Sequence, residues 1–408
     1  MTRRSVLGLS CVARNLAAPT ALLLVGGLTG CAKDPGNSLG VDTAMETGTG
    51  VPTTTTADEA SDEEESEAEV SSGPCPDDGC LDLPPSMETG DDCNDEGGNC
   101  ECEPPMHEPC DEANPDDVVN AMGLNCDGEF QVTINSTGNP LAYGTMDSFG
   151  PTDAFNPTEG TRFAILGSGF AADLPMDAFS GACSNDLGAF DIMQAFPAPI
   201  VMQDVGPVTC ADDPSLIGTG DCSNSLQTQF EAAGTGGAND YTELRIDTAV
   251  PSLTTSFSFD FAFMSHEYPN YWLSSFNDMF FTWLESETWT GNISFDDDGN
   301  PITINAGFMD YLDGDADGYD PITGEIVPHP DCPIGTGCTA PELTGTCMDG
   351  HGATRWLTTT APVNPDEEIT IVFAIMDLSD SILDSYVFID NFQWGCDGEQ
   401  PPTTTPID

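Results

Sequence analysis

Bases are what this chain lacks. Of 408 residues only seven are lysine or arginine, against 70 aspartates and glutamates, a formal charge of −63 with histidine neutral. The seven are Arg3, Arg4, Arg14, Lys33, Arg162, Arg245 and Arg355, so no lysine follows position 33. A surface this acidic repels a polyphosphate backbone, which excludes nucleic acid as a partner. Lysine chemistry goes with it, including a Gly-Lys phosphate loop and any Schiff base. Histidine is also scarce: His107, His266, His329 and His351 are too scattered to suggest a catalytic triad. Long helices are disfavoured, because glycine and proline make up about 18 % of the chain against an average near 12 %. What is present is a 38 % hydrophobic share, enough to fill a core, in a chain long enough for two or three units.

Near the N-terminus, Arg3, Arg4 and Arg14 precede an apolar stretch from Leu16 to Leu28, with no acid before Cys31. That stretch is too short and glycine-rich for a transmembrane helix and ends in small residues, as a cleaved signal does. Leu28-Thr29-Gly30-Cys31 resembles a bacterial lipobox. The resemblance implies a lipoprotein signal peptide over residues 1–30 and lipidation at Cys31, whose acyl chains hold the protein in a membrane. Ala32, rather than a retention aspartate, follows the cysteine. The expected location is therefore the outer membrane or cell surface, lipid-anchored and extracytoplasmic. Thr2-Arg3-Arg4 only partly matches a twin-arginine signal, since Val6 replaces the usual phenylalanine.

Sixteen cysteines fit that compartment. Setting aside Cys11 and Cys31, six fall between Cys75 and Cys110 and eight between Cys126 and Cys396. Two even groups are expected of disulfide-closed units in an oxidising space, with the pairing left open. Zinc is the rival for the first group, but it contains no CxxC knuckle and only one imidazole, His107.

The chain divides by texture. Residues 31–74 hold the lipidated cysteine and an acidic, threonine-rich linker, with eight acids in the twelve positions from Asp58 to Glu69. Such a block repels itself and is expected to be disordered. Residues 75–117 are rich in cysteine and acid and poor in large apolar side chains, so this small segment depends on crosslinks. From 118 to 398 the pattern is that of strands, and 399–408 reads as a polar tail. Ser256–Ser265 alternates strictly, with Phe257, Phe259, Phe261 and Phe263 on one face, which predicts a strand with one aromatic face buried. Glu368–Leu378 is apolar on both faces and reads as a central strand; Asp384–Trp394 reads as another. Shorter candidates are Phe130–Ile134, Arg162–Leu166, Tyr241–Ile246, Met279–Leu284 and Ile302–Asn305, with a turn signal at Asp296–Asn300. The expected fold class is all-β: an antiparallel, jelly-roll-like β-sandwich preceded by the acidic linker and the disulfide-rich segment.

The segment FDFAFMSHEYPNYWLSSFNDMFFTWLES (Phe259–Ser286), followed by GNISF, PITIN, ITIVFAIMDLSD and DSYVFIDN, is similar to the choice-of-anchor L family, over roughly Met122–Cys396. The resemblance implies a secreted, mainly β domain found on bacterial surface proteins, held by varied anchors and without a defined activity. Two departures stand out. The family's Ser-Glu-Glu-Tyr-Pro reads Ser265-His266-Glu267-Tyr268-Pro269 here, and the anchor lies at the N-terminus rather than the C-terminus.

Three groups of residues could carry chemistry. Asp313, Asp315, Asp317 and Asp320, with Gly318 between the last two and Glu325 beyond, have the alternating spacing that turns carboxylates onto a hard cation, so Ca²⁺ is the expected structural cofactor. The alternative is a solvated acidic turn. A second metal set combines Glu267, Asn277 and Asp278 with Asp384, Asp390 and Asn391, polar residues at or inside apolar strands where an unpaired carboxylate is costly; their alternative role is to cap turns. In the aromatic stretch from Tyr268 to Trp289, period-two rings read as core, while Tyr271 and Trp272 in the loop after Pro269 are candidates for ligand contact. No catalytic residues are assigned. His266-Glu267 begins like a zincin helix, but Asn270 stands where the second histidine belongs, and Gly167-Ser168-Gly169 is a turn without the spacing of a nucleophile elbow. The expectation is a lipid-anchored, calcium-assisted surface protein whose β domain binds a surface glycan or protein in adhesion or matrix contact. The alternatives are a hydrolase of envelope or prey polymers, with acids such as Glu267 or Asp278 catalytic, and a structural surface-layer component.

Overall fold

In the computed structural model the described residues are 102–407, excepting 125, 127–132, 135–137, 177–182, 184–186, 189–190, 193–194, 203–209, 211–212, 235–236 and 320–322. The signal peptide, Cys31, the acidic linker, most of the cysteine-rich segment and Asp320 lie outside them.

The alternating phenylalanines form strand β5 (Ser256–Ser265), and all four rings are fully buried. They meet a second sheet: Phe259 packs edge-on against Phe373 at 4.9 Å, and Phe261 packs at a tilt against Phe280 at 5.1 Å. The first sheet runs β16 (Thr403–Pro406), β13 (Leu357–Pro362), β5, β15 (Ser385–Gly395), β3 (Phe163–Gly167) and β2 (Tyr143–Met146). Beside this path β12 (Gly352–Thr354) pairs with β5, and β9 (Met309–Leu312) with β12. The facing sheet runs β1 (Thr133–Ile134), β4 (Ala238–Ala249), β14 (Glu368–Leu378), β6 (Met279–Glu285) and β7 (Thr290–Asn292), with β8 (Ile302–Thr303) on β6. Every pairing in both sheets is antiparallel. The chain crosses between sheets at each long step, β4 to β5 to β6 and later β13 to β14 to β15, the alternation of a jelly-roll-like sandwich.

The double-sided apolar pattern of β14 now has a cause. Ile371, Phe373 and Ile375 enter the core between the sheets, while Val372, Ala374 and Met376 lie in an outer cluster with Tyr241, Phe281 and Trp283. That outer face is roofed by helix α2, the second helix of the chain (Leu226–Ala232, after α1 at Val118–Ala121), through Leu226 and Phe230, with Phe196 and Ile200 beside it. The far face of the other sheet is covered too. Phe163, Ile165, Ala262, Met264 and Phe388 pack under Phe149, Phe155, Leu343 and Met348 from loops. The aromatic face of β5 is buried as expected, and these loops close over its second face as well.

Two boundaries read from composition also move. Residues 403–406 are not a loose tail but edge strand β16, paired with the threonines of β13 from Thr358↔Thr405 to Thr360↔Thr403. A chain of buried hydroxyls, Thr282, Ser294, Thr359 and Thr404, links the two sheets at 3.0, 3.2 and 2.9 Å. The ten cysteines of the described residues form five disulfides: Cys102–Cys396, Cys110–Cys126, Cys183–Cys347, Cys210–Cys222 and Cys332–Cys338. The two even groups are thus not closed separately, since Cys102 and Cys110 staple the cysteine-rich segment onto the β domain. Among the described residues no helix is long and apolar enough to cross a membrane.

Two outcomes follow. Phe259→Ala, which empties the centre of the sandwich, should cost about 3–5 kcal/mol in urea denaturation. Non-reducing peptide mapping should recover the Cys102–Cys396 and Cys110–Cys126 linkages, and a Cys102 pairing with another residue of the cysteine-rich segment would contradict the staple.

Candidate functional site

The Asp313 segment does not gather its carboxylates. Asp315 accepts from the amides of Gly335, Gly337 and Cys338 at 2.7, 2.7 and 2.9 Å, and these bonds, that of Cys338 foremost, hold its carboxyl below the usual range. Asp313 accepts from Gly350 N at 3.0 Å and Asp317 from Ile334 N at 3.3 Å. Asp317 opens strand β10 (Asp317–Tyr319), which pairs with β11 (Ile326–Pro328), and Glu325 is exposed. Asp315 and Asp317 are turned onto the backbone of residues 334–338 and Asp313 onto that of Gly350, so amide donors meet these carboxylates. Asp315 also lies beside Cys332 and Cys338, but those sulfurs are bonded to each other and offer no thiolate.

The second set divides. Asp390 sits mid-strand, paired in register with Asp260, roughly 20 Å along β15 from Asp384 at strand rise. It accepts from Thr158 N at 2.7 Å, Thr158 Oγ1 at 3.2 Å, Glu159 N at 3.1 Å and Asn391 N at 2.8 Å. Burial nevertheless pushes its carboxyl up to about 7. Asn391 donates to Asp260 at 2.8 Å. Asn277 turns its amide toward Gln229 on α2, 3.1 Å away. Asp390, Asn391 and Asn277 therefore do not join Glu267 and Asp278, because strand direction and alternation send them to other neighbours.

Glu267 and Asp278 do come together, at the end of the sandwich where β5 stops and β6 starts. Two further acids meet them from neighbouring strands: Asp384 just before β15, which the sequence pattern included, and Asp377 near the end of β14, which it missed. All four are at most 1 % exposed. Asp278 accepts from Ser385 Oγ at 2.6 Å and Leu378 N at 3.1 Å. Asp384 accepts from the Tyr386 hydroxyl at 3.1 Å. Neither oxygen of Asp377 nor Oε2 of Glu267 receives a well-aligned donor, although the Ser168 hydroxyl lies close to Asp377. Burial raises Asp278 to about 7, against the pull of Ser385 and Leu378. Burial, then Asp278 and Asp380, raise Glu267 to about 10, and burial with Asp278 and Asp384 drives Asp377 well above the carboxylate range.

The wall of this cluster is the Gly167-Ser168-Gly169 turn. Ser168 Oγ accepts from Ser385 N at 2.8 Å, and a Cβ on Gly169 would stand 1.8 Å from Asp384 Oδ2. Only glycine allows that approach. The turn was visible in the sequence; what it faces was not. The three arginines of the described residues are committed elsewhere: Arg162 to Thr145, Arg245 to Glu243 and Arg355 to Asp310. His266 supplies no charge either. Its ring nitrogens lie 2.7 Å from the Asp384 carbonyl and 2.8 Å from the Cys347 carbonyl. Burial and the neighbouring His351 push it down to about 4, so the ring is neutral at neutral pH and donates from one nitrogen only. Both His266 nitrogens face main-chain oxygens, and the four acids are sealed from solvent.

Between Glu267 and Asp278 runs the loop 268–277. Tyr268 is fully buried and donates to Gly314 O at 2.7 Å, whereas Tyr271 is 36 % exposed. Trp272 is half-buried, its ring 4.6 Å from that of His329. Leu273, in a left-handed conformation, packs on Gly318 so closely that a Cβ there would stand 2.6 Å from its Cδ1. The β10–β11 hairpin thus lies against the loop and adds exposed Tyr319 and Ile326 to exposed Tyr271 and Leu273, with exposed Ile334 following in the chain. Phe280, Phe281, Trp283 and Trp289 are core, as period-two spacing indicated.

A family model described as the Choice-of-anchor L domain matches residues 182–393, a narrower span than the motifs suggested but just over half of the chain. No curated protein and no solved structure matches the chain. The matched span contains the four-carboxylate cluster, the loop it brackets and the hairpin. The chain therefore belongs to the choice-of-anchor L family and is a cell-surface-associated, extracytoplasmic protein.

Proposed function

We propose that this is a lipid-anchored bacterial surface protein whose β domain binds a glycan or protein in adhesion or matrix contact, with a structural divalent cation such as Ca²⁺. One observation carries the binding role. Of the ten exposed large apolar side chains among the described residues, five, Tyr271, Leu273, Tyr319, Ile326 and Ile334, come from one loop and the neighbouring segment that holds the hairpin, in a strongly acidic protein. Concentrated exposed apolar area of this kind marks interaction sites. The net charge of −63 disfavours anionic polymers, so the ligand class is a neutral glycan or an uncharged to basic protein surface. In this reading lipidation at Cys31 tethers the domain to the membrane through the acidic stretch that runs to residue 74.

Two measurements test this reading. On a glycan and surface-protein array, Tyr271→Ala/Tyr319→Ala should lose at least tenfold in affinity for whatever the native chain retains, with its melting temperature unchanged. Equal retention of both proteins rejects the patch, and turnover of chromogenic glycosides abolished by Glu267→Gln replaces binding with hydrolysis. Labelled palmitate should appear in the native protein and vanish in Cys31→Ser; label that persists in Cys31→Ser, or none in the native protein, removes the anchor.

A further inference from the structure

We infer that Glu267, Asp278, Asp377 and Asp384 form a divalent-cation site of the calcium class that clamps the base of the loop 268–277. The inference rests on the proposed binding role only for what the loop does; the ion site stands on its own geometry. Four carboxyl groups from four separate segments converge at one end of the sandwich, each at most 1 % exposed. In a chain with bases, such a cluster is met by arginine or lysine. Here the three arginines of the described residues serve Thr145, Glu243 and Asp310. His266 reaches the site only through the Asp384 carbonyl.

A second observation points to a ligand. Asp377 offers two buried oxygens and Glu267 one that meet no well-aligned donor, with Asp377 lying within reach of only the Ser168 hydroxyl and the Asp278 carboxyl. Such oxygens face either protons or a cation. The donor set is oxygen only, with no thiolate and no free imidazole nitrogen, which selects a hard ion over zinc or copper. No three of these carboxylates bring oxygens within 4.8 Å of one another. At calcium–oxygen distances of about 2.3–2.6 Å an ion therefore meets at most two of them directly as they stand, and the others reach it through water or by turning inward, which the flexible shell of calcium accepts more readily than the tight octahedron of magnesium.

The consequence for the loop follows from chain order. Glu267 immediately precedes Tyr268 and Asp278 immediately follows Asn277, so one ion ties both ends of the segment that displays Tyr271 and Leu273. Tyr271 N also donates to Glu267 O at 2.9 Å, joining the first ligand to the exposed ring. Cation binding thereby orders the recognition loop without touching the surface ligand.

The test uses the full chain, stripped with EGTA, and Ca²⁺ alone. Calorimetric titration should find a site that survives Asp313→Ala/Asp315→Ala and weakens at least tenfold in Asp377→Asn and in Glu267→Gln. In EGTA, Asp377→Asn should melt at or above the native protein, since a buried carboxyl has been neutralised. Added Ca²⁺ should then raise the native melting temperature and leave the variant unmoved. Chymotryptic cleavage at Tyr271–Leu273 should slow at least tenfold in Ca²⁺. Absence of heat and of a melting shift in the native protein overturns the site. So does Ca²⁺ binding that survives in folded Asp377→Asn and Glu267→Gln, or is lost in Asp313→Ala/Asp315→Ala. If one cluster variant fails to fold, the other, together with native cleavage with and without Ca²⁺, decides. Binding of Ca²⁺ with unchanged loop cleavage keeps the ion and rejects the clamp, and a failed surface-ligand screen leaves both results standing.

Discussion

Charge neutralisation without bases is the constraint on which this structure turns. A protein with 70 acids and seven bases cannot distribute its charge into ion pairs, so carboxylates that fall inside the fold must find other partners. Most find backbone amides. Asp111 is fixed by Thr161 through its amide and hydroxyl at 2.6 and 2.9 Å, Asp240 by the amides of Leu187 and Gly188, and Asp296 by those of Asp298, Asn300 and Gly307. These aspartates organise loops as a result, each gathering amides that would otherwise be buried without acceptors. The half-buried Asp313 segment works the same way: Asp315 and Asp317 hold residues 334–338, and Asp313 holds Gly350.

The cluster at the end of the sandwich is the exception. Its acids arrive on strand ends and on the residues that flank them, where neighbouring amides are already spent on the sheet ladders. Donors are correspondingly few, and Asp377 has no aligned one. The same placement puts the cluster at the roots of the loop that carries the exposed aromatics, so the electrostatics of the interior and the ordering of the surface meet at one point.

The packing scheme explains how so acidic a chain is held together. Three apolar layers stack in order: loop residues over one sheet, the core between the sheets, and α2 over the other sheet. Five disulfides and the hydroxyl chain from Thr282 to Thr404 tie the layers and the chain ends. Burial of large aromatics offsets a surface that repels itself.

Much of this was legible from residue order. The period-two phenylalanines set β5 at Ser256–Ser265, and the unbroken apolar run set β14 at Glu368–Leu378, because side-chain alternation and two-sided burial are local properties of a strand. Strands of three or four residues such as β7, β9 and β12 carried too little pattern to see, and Thr403–Pro406 reads as a strand only beside the threonines of β13. The candidate site divided along the same line. Sequence alone determined which residues bear charge and that almost no base exists to meet them. Which carboxylates lie together was decided by the crossing of strands between sheets, which brings residues 267, 278, 377 and 384 to one end and sends Asp390 far along β15. Proximity of that kind depends on register and topology, which no local spacing of residues encodes.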